Sequence, residues 1–333
     1  MGRTAILMVL GLSALIGTYS MSINNTLVQG TKNLSTVYQL TQARDIAHSA
    51  VNVVLHKVDE NVGVSTDTTF TGSFQNGAYT IRKQTNADTL WLTVRSTYGD
   101  TAYSMKLKLR CYPKPFPKLV GAVNIVSDSI NFTMSGNPSI DGRDTNPDGT
   151  FVPNSELPAV AVETPVDSQR VVASGGTLLG SEGVRTSNEL PDVRDYLDEY
   201  KAYATHTVTG DIAGNSIFGS PSNPAIMVYD GGGELRIGGG TQIYGVLVVR
   251  GDLKLSGTVD IFGMVIVYGE EVTVDFSVST GTPQVYGGIL LTGPNHSSFA
   301  MKGTVDYHYS SKTLNDVKNA KALRAYSITE WWE

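Results

Sequence analysis

The chain has 333 residues, a formal net charge of −6 and a charged fraction of 17%. That length has room for two or three domains, and the acidic balance gives no bulk attraction to nucleic acid or anionic lipid. The 35 glycines point to turn-rich β structure rather than disorder or coiled coil, and the single cysteine, Cys111, excludes an intramolecular disulfide.

No charged side chain occurs from Thr4 to Thr31. The segment TAILMVLGLSALIGTYSMSI is apolar enough and long enough to cross a bilayer, which takes roughly 20 residues at about 1.5 Å each. The pattern then turns amphipathic, with Leu40, Ala43, Ala47, Ala50 and Val54 three or four residues apart. No proline interrupts residues 1–112, so both halves read as one helix from about Thr4 to about Asn61, on the order of 85 Å long. This element is assigned to residues 1–62. Arg3 precedes the span and nothing basic follows until Lys32, which sets the N-terminus in the cytoplasm and the bulk outside. A secretory signal cleaved between Ser20 and Asn25, and a plain signal anchor, are the competing readings.

The N-terminus MGRTAIL, the uncharged helix after it and the continuation YQLTQARDIAHSAVNVVL resemble the spine of type IV pilins and pseudopilins, closest to the minor, PilX-like branch. The resemblance implies that the apolar half lies in the inner membrane before assembly and in a filament core afterwards. The amphipathic half would carry a β-rich head, and the partners would be copies of the chain or other pilins. Most pilins carry a glutamate at the fifth mature position, where it pairs with a neighbour's terminal amine. Here the first acid is Asp45; cleavage after Gly2 would make Leu7 the fifth residue, and without cleavage it is Ala5.

Residues 63–112 read as an antiparallel meander whose alternating strands are punctuated by QNG, NAD and YGD turns. Leu90, Leu92 and Val94 share one face, as do Met105, Leu107, Leu109 and Cys111. A sheet with one apolar face needs a cover, and the helix face from Leu40 to Val58 supplies it. A long helix on a short meander is how a pilin head is built, so the resemblance extends over about residues 1–112. PKPFPK, residues 113–118, reads as a stiff boundary.

Beyond it the sequence repeats. IYGVLVVRG (243–251), IFGMVIVYG (261–269) and VYGGILLTG (285–293) are one phrase, 18 and then 24 residues apart. Alternating strands lie between them, and SINFTMSGNPSIDG (129–142) is an earlier copy. Short strands with glycine corners at this period predict a parallel β-helix, or β-solenoid, over 119–310. A solenoid joined to such a spine is also similar to large PilX-like envelope proteins. Strands 246–249, 264–267 and 288–291 are apolar on both faces, so something must lie over their outer side. The candidates are the neighbouring subunit and the helix of an insert at 143–212, read as 189–205 with Asn188 as N-cap. Residues 311–333 read as a cap on the solenoid, with Trp331 and Trp332 packed on its end. The fold class is therefore α+β.

The sharpest chemical motif is DTNPDG. Asp144, Asn146 and Asp148 occupy alternate positions before Gly149, as in a calcium loop, with Glu156 one residue beyond the usual twelfth position. Calcium is the one cofactor candidate, and a plain Asx-turn loop is the competing reading. His48, His56, His206, His296 and His308 show no zinc spacing. The glycine-rich runs read as solenoid corners, and Asp252, Asp260 and Asp275 as outward positions. These features predict no enzyme. They predict a structural, pilin-like subunit of an extracellular filament that exposes its solenoid for surface contact or adhesion. The alternatives are a membrane-anchored surface adhesin that does not polymerise and, from another class, a β-helix carbohydrate-active enzyme.

Overall fold

The computed structural model describes residues 2–60, 67–86, 89–277, 281–320 and 323–333. Its first element is α1 (Gly2–Glu60), a single helix of 59 residues. The predicted end at Asn61 and the turn at Ala87 and Asp88 lie outside the described residues. Four strands follow: β1 (Thr68–Phe74), β2 (Gly77–Asn86), β3 (Thr89–Tyr98) and β4 (Thr101–Pro113). They pair antiparallel in sequence order. The first hairpin turns on Gln75 and Asn76, both at positive φ, the backbone that matches strand twist in a two-residue loop.

The apolar residues of the meander form one core with one face of α1. Ala47, Ala50, Val51 and Val54 pack on Ile81, Leu90, Leu92, Val94, Met105, Leu107 and Leu109. The alanines on the helix let its backbone approach the sheet closely. Cys111 is buried at the end of this face.

The contacts divide the chain into two units, 1–111 with 326–333 and 112–325. In the second unit the strands are β5 (Val123–Val126), β6 (Ile130–Gly136), β7 (Ser139–Asp141), β8 (Arg143–Thr145), β9 (Phe151–Glu156) and β10 (Val160–Val162). After α2 (Pro165–Val172) come β11 (Thr177–Leu179) and β12 (Val184–Thr186). After α3 (Arg194–Ala202) come β13 (His206–Val208), β14 (Ile217–Phe218), β15 (Ala225–Tyr229), β16 (Glu234–Ile237) and β17 (Gln242–Arg250). The series ends with β18 (Asp252–Leu255), β19 (Asp260–Tyr268), β20 (Glu271–Ser277), β21 (Gln284–Thr292), β22 (His296–Gly303), β23 (Asp306–Tyr309) and α4 (Ser311–Lys318).

From β15 to β23 the chain alternates between two sheets. One runs β15-β17-β19-β21-β23 and the other β16-β18-β20-β22, and every pair in both is parallel. Register follows the repeated phrase, so Gly245, Gly263 and Gly287 form a column. All three have positive φ. A Cβ on any of them would overlap the carbonyl oxygen of the rung before, on Ala225, Gly245 and Gly263 respectively. Only glycine fits there.

Between the two sheets lies the main core, drawn from Leu247, Val265 and Ile289 on one side and Leu253, Val274 and Phe299 on the other. The outer residues of the non-alternating strands make a second core. Val246, Val248, Met264, Ile266 and Leu290 are fully buried beneath Val193 and Tyr200, at and within α3, and Leu314 and Val317 of α4. The apolar strip is thus covered within the chain. α3 starts later than the sequence suggests. Pro191 precedes it, and Asp192 rather than Asn188 accepts the first amide, from Arg194 at 2.9 Å.

The early copy at 129–142 does not stack before the first of the later repeats. β6 pairs with β22 and β7 with β23, so the first strands of the unit lie beside its last. The insert from β8 to α3 carries the chain away from them, and β13 then pairs with β15.

The C-terminal segment corrects another expectation. β24 (Arg324–Trp332) does not cap the parallel sheets; it joins β4 as the fifth strand of the first unit's sheet. Trp332 stacks on Trp91 with centroids 5.5 Å apart, and Trp331 stacks on His48 at 5.4 Å. The reason is the unpaired edge that β4 would otherwise present along 13 residues. Residues 113–118 are not a free spacer. Lys114 is buried, its amide donates to the Leu323 carbonyl at 2.8 Å, and its ammonium lies 3.2 Å from Glu199.

Candidate functional site

The two halves of α1 have different surroundings. From Ala43 onward one face is buried. Ser96 donates to the Ala43 carbonyl at 2.6 Å, and Thr101 to the Gln39 side chain at 3.0 Å. Every side chain from Ile6 to Tyr38 is exposed, including Leu10, Leu12, Leu15, Ile16, Leu27 and Leu34. The helix is long and apolar enough to cross a membrane, with a mean hydropathy of 1.8 in its most apolar window.

Four threonines in this half satisfy their hydroxyls within the helix. The hydroxyls of Thr26, Thr31 and Thr36 each donate to the carbonyl four residues earlier, at 2.8–3.0 Å, and Thr18 donates to Leu15 at 2.9 Å. A hydroxyl satisfied in this way costs little away from water. The first turn carries no acid, and the first acid of the sequence, Asp45, lies in the half that packs on the sheet. No side chain before it can neutralise a neighbour's terminal amine.

The predicted calcium residues belong to the β8–β9 hairpin. Asp148 accepts from the Thr150 amide at 2.9 Å and its hydroxyl at 2.6 Å, which holds its carboxyl below the usual carboxylate range. The Asn146 side chain donates to the Thr150 hydroxyl. Asp144 is fully buried and accepts from the Ser311 amide at the start of α4. Glu156 stands opposite Arg143 across the hairpin. Among the described residues no three acidic, histidine or cysteine side chains are placed to hold a metal ion. Within the turn, Thr150 occupies Oδ1 of Asp148.

Asp252, Asp260 and Asp275 are each tied to an adjacent rung. Asp252 accepts the Thr273 amide at 2.7 Å, Asp260 accepts from Gln242 at 3.2 Å, and Asp275 pairs with Lys254 at 3.1 Å. Sequence reasoning missed a row of rings. Tyr244, Phe262, Tyr286 and His308 stack in succession with centroids 4.5, 5.8 and 5.0 Å apart. Its signal was the aromatic residue before the glycine in each IYG, IFG and VYG phrase.

No protein-family model matches the sequence, and no curated protein matches it. Among solved structures, the crystal structure of the competence-associated pilin ComZ from Thermus thermophilus is similar over 88% of this chain and 97% of that one. The identity is 10% and the TM-score 0.24, a level that does not establish a common fold.

Proposed function

We propose that the chain is a structural, pilin-like subunit of an extracellular filament. The apolar half of α1 spans the inner membrane before assembly and packs among neighbouring helices afterwards. The observation that carries this reading is the division of α1. A membrane anchor needs roughly 20 residues, yet about forty precede the first that packs on the sheet, and their only buried partners would be other subunits or lipid. We read the second unit as a β-solenoid displayed for surface contact or adhesion. The in-register parallel rungs, the alternation between two sheets and the glycine column support that reading. The proposal assigns no catalytic role.

The missing acid ahead of Asp45 favours a second reading, a membrane-anchored adhesin that does not polymerise. Leu12→Asp separates the two. A carboxylate at mid-membrane costs about 3 kcal/mol on insertion scales, which a helix this apolar tolerates, whereas a dry helix–helix interface does not. The expected result is chain retained in the membrane fraction and no filaments in the sheared surface fraction. Filaments that persist would leave the anchored adhesin as the better account.

A further inference from the structure

The row of stacked rings is open at one end. Tyr286 is buried, but Tyr244 and Phe262 are half exposed and form the floor of a groove of about 420 Å³. One wall is α4, with Lys312 and Asp316. The other walls are the β14–β15 loop, with Ser220, Pro221 and Pro224, and the β8–β9 turn, with Asp148. Tyr244 ends the stack, so among the described residues one of its faces is free of any other ring. We propose that this groove binds one or two sugar rings of a neutral saccharide.

The ligand class follows from what the groove offers. Its volume lies in the range of small-ligand sites, about 300–1,000 Å³. The aromatic rings and prolines present flat apolar surface suited to the C–H face of a pyranose. The polar groups alternate in kind. Asp148 and Asp316 accept and Lys312 donates, while the Ser220 hydroxyl, which already accepts the Asn223 amide at 3.1 Å, keeps a proton to donate. Both bonds from Thr150 end on Oδ1 of Asp148, and among the described residues none reaches Oδ2. Lys312 is neutralised by Asp316 at 2.9 Å, so the groove holds two carboxylates and one ammonium and repels anions. A neutral sugar meets these demands, because it both donates and accepts around an apolar face. A polyproline peptide would fit the rings and prolines but has no hydroxyls for the two carboxylates.

The test is calorimetric titration of the full chain in a detergent without a sugar headgroup. The probes are cellotriose, maltotriose and chitotriose, with decaproline and an acidic sialyl-trisaccharide for comparison. At least one neutral trisaccharide should bind, and Asp148→Asn and Tyr244→Ala should each weaken binding about tenfold or more. Asp148→Asn lies in an exposed turn and should unfold at the wild-type temperature, which separates lost contact from lost fold. Asp275→Asn, paired with Lys254 in the other sheet, should bind as wild type does. No heat from any neutral trisaccharide, binding unchanged in both groove variants, or binding by decaproline instead would overturn the proposal. The inference deepens the surface-contact reading but not assembly: saccharide binding should survive Leu12→Asp, so failure of one leaves the other standing.

Discussion

The guanidinium of Arg44, in the buried-face half of the long helix, holds the carboxylate of Glu333 at 2.7 Å across 289 positions of sequence. The pair marks a topological fact. The second unit is inserted in sequence between two strands of the first unit's sheet, β4 and β24. Both charges are substantially exposed, so the ion pair itself contributes little. The strand that brings it there matters more, because β24 covers the β4 edge and stacks Trp332 on Trp91.

Deleting residues 326–333 should therefore destabilise the first unit far more than Arg44→Ala does. Trp91, the one remaining tryptophan in the truncated chain, reports it: its emission should shift to the red and its melting transition fall by several degrees. Arg44→Ala should leave both near wild type. By the same division, a 112–325 fragment should fold cooperatively and stay monomeric, whereas 113–333 carries an unpaired strand ending in two tryptophans and should aggregate. A truncated chain with unaltered Trp91 emission and melting would show that β24 adds nothing to its sheet.

Gly263→Ala tests the glycine column. Its φ is +143°, and a Cβ there would overlap the Gly245 carbonyl oxygen and crowd Val317 of α4. Both backbone strain and steric overlap oppose the methyl group, so the cost should be roughly 2–4 kcal/mol by urea titration. Gly149→Ala is the control. It also has positive φ, but no atom lies within 4 Å of the added Cβ, and it should cost about 1 kcal/mol. Equal costs would mean that the column is not close-packed.

Much of this architecture was legible in the sequence because it rests on periodicity. The uncharged run and the alanines at 43, 47 and 50 gave α1 and its buried face. Alternation gave β1 to β4, and the IYG, IFG and VYG phrases gave the register of β17, β19 and β21. Placement over long distances was not legible. SINFTMSGNPSIDG looks like the first repeat, yet nothing local says that β6 will pair with β22 rather than with β16. Likewise Tyr326 to Thr329 carry an alternation that suits any sheet edge, and only the open edge of β4 selects one. The DTNPDG turn is ambiguous for a chemical reason: the residues that suit a hard cation also satisfy a tight turn, and here Thr150 bonds to one oxygen of Asp148.

His308 gives a pH dependence with a definite sign. Burial lowers its pKa below the usual histidine value, against the opposing pull of Asp141 and Asp306. Tyr286 stacks on one face of the ring, and Arg143 also acts against protonation. The folded state thus prefers neutral imidazole. Below a pH of about 6.5 the unfolded chain binds a proton that the folded chain resists. Stability should therefore fall as pH drops from about 7 toward 5, until the folded-state pKa is passed. Urea midpoints across that range should show less of this slope in His308→Gln; an identical slope would assign the effect to other groups.

Tyr200 tests the cover over the apolar strip. Its ring is fully buried in the cluster that α3 makes with Ile226, Val228, Val246 and Val248. Its hydroxyl is buried too and has no hydrogen-bond partner among the described residues. The two parts of the side chain should therefore act in opposite directions. Tyr200→Ala removes the ring, leaves a cavity against the strands and should cost about 3–5 kcal/mol. Tyr200→Phe keeps the ring and removes a group that lost its water without gaining a partner, so it should be neutral or stabilising by about 1 kcal/mol. Chemical unfolding of the two variants beside wild type decides the matter. A Phe variant destabilised by more than about 1 kcal/mol would mean that the hydroxyl holds an ordered water, and that α3 is fixed over the strip by a polar anchor as well as by apolar packing.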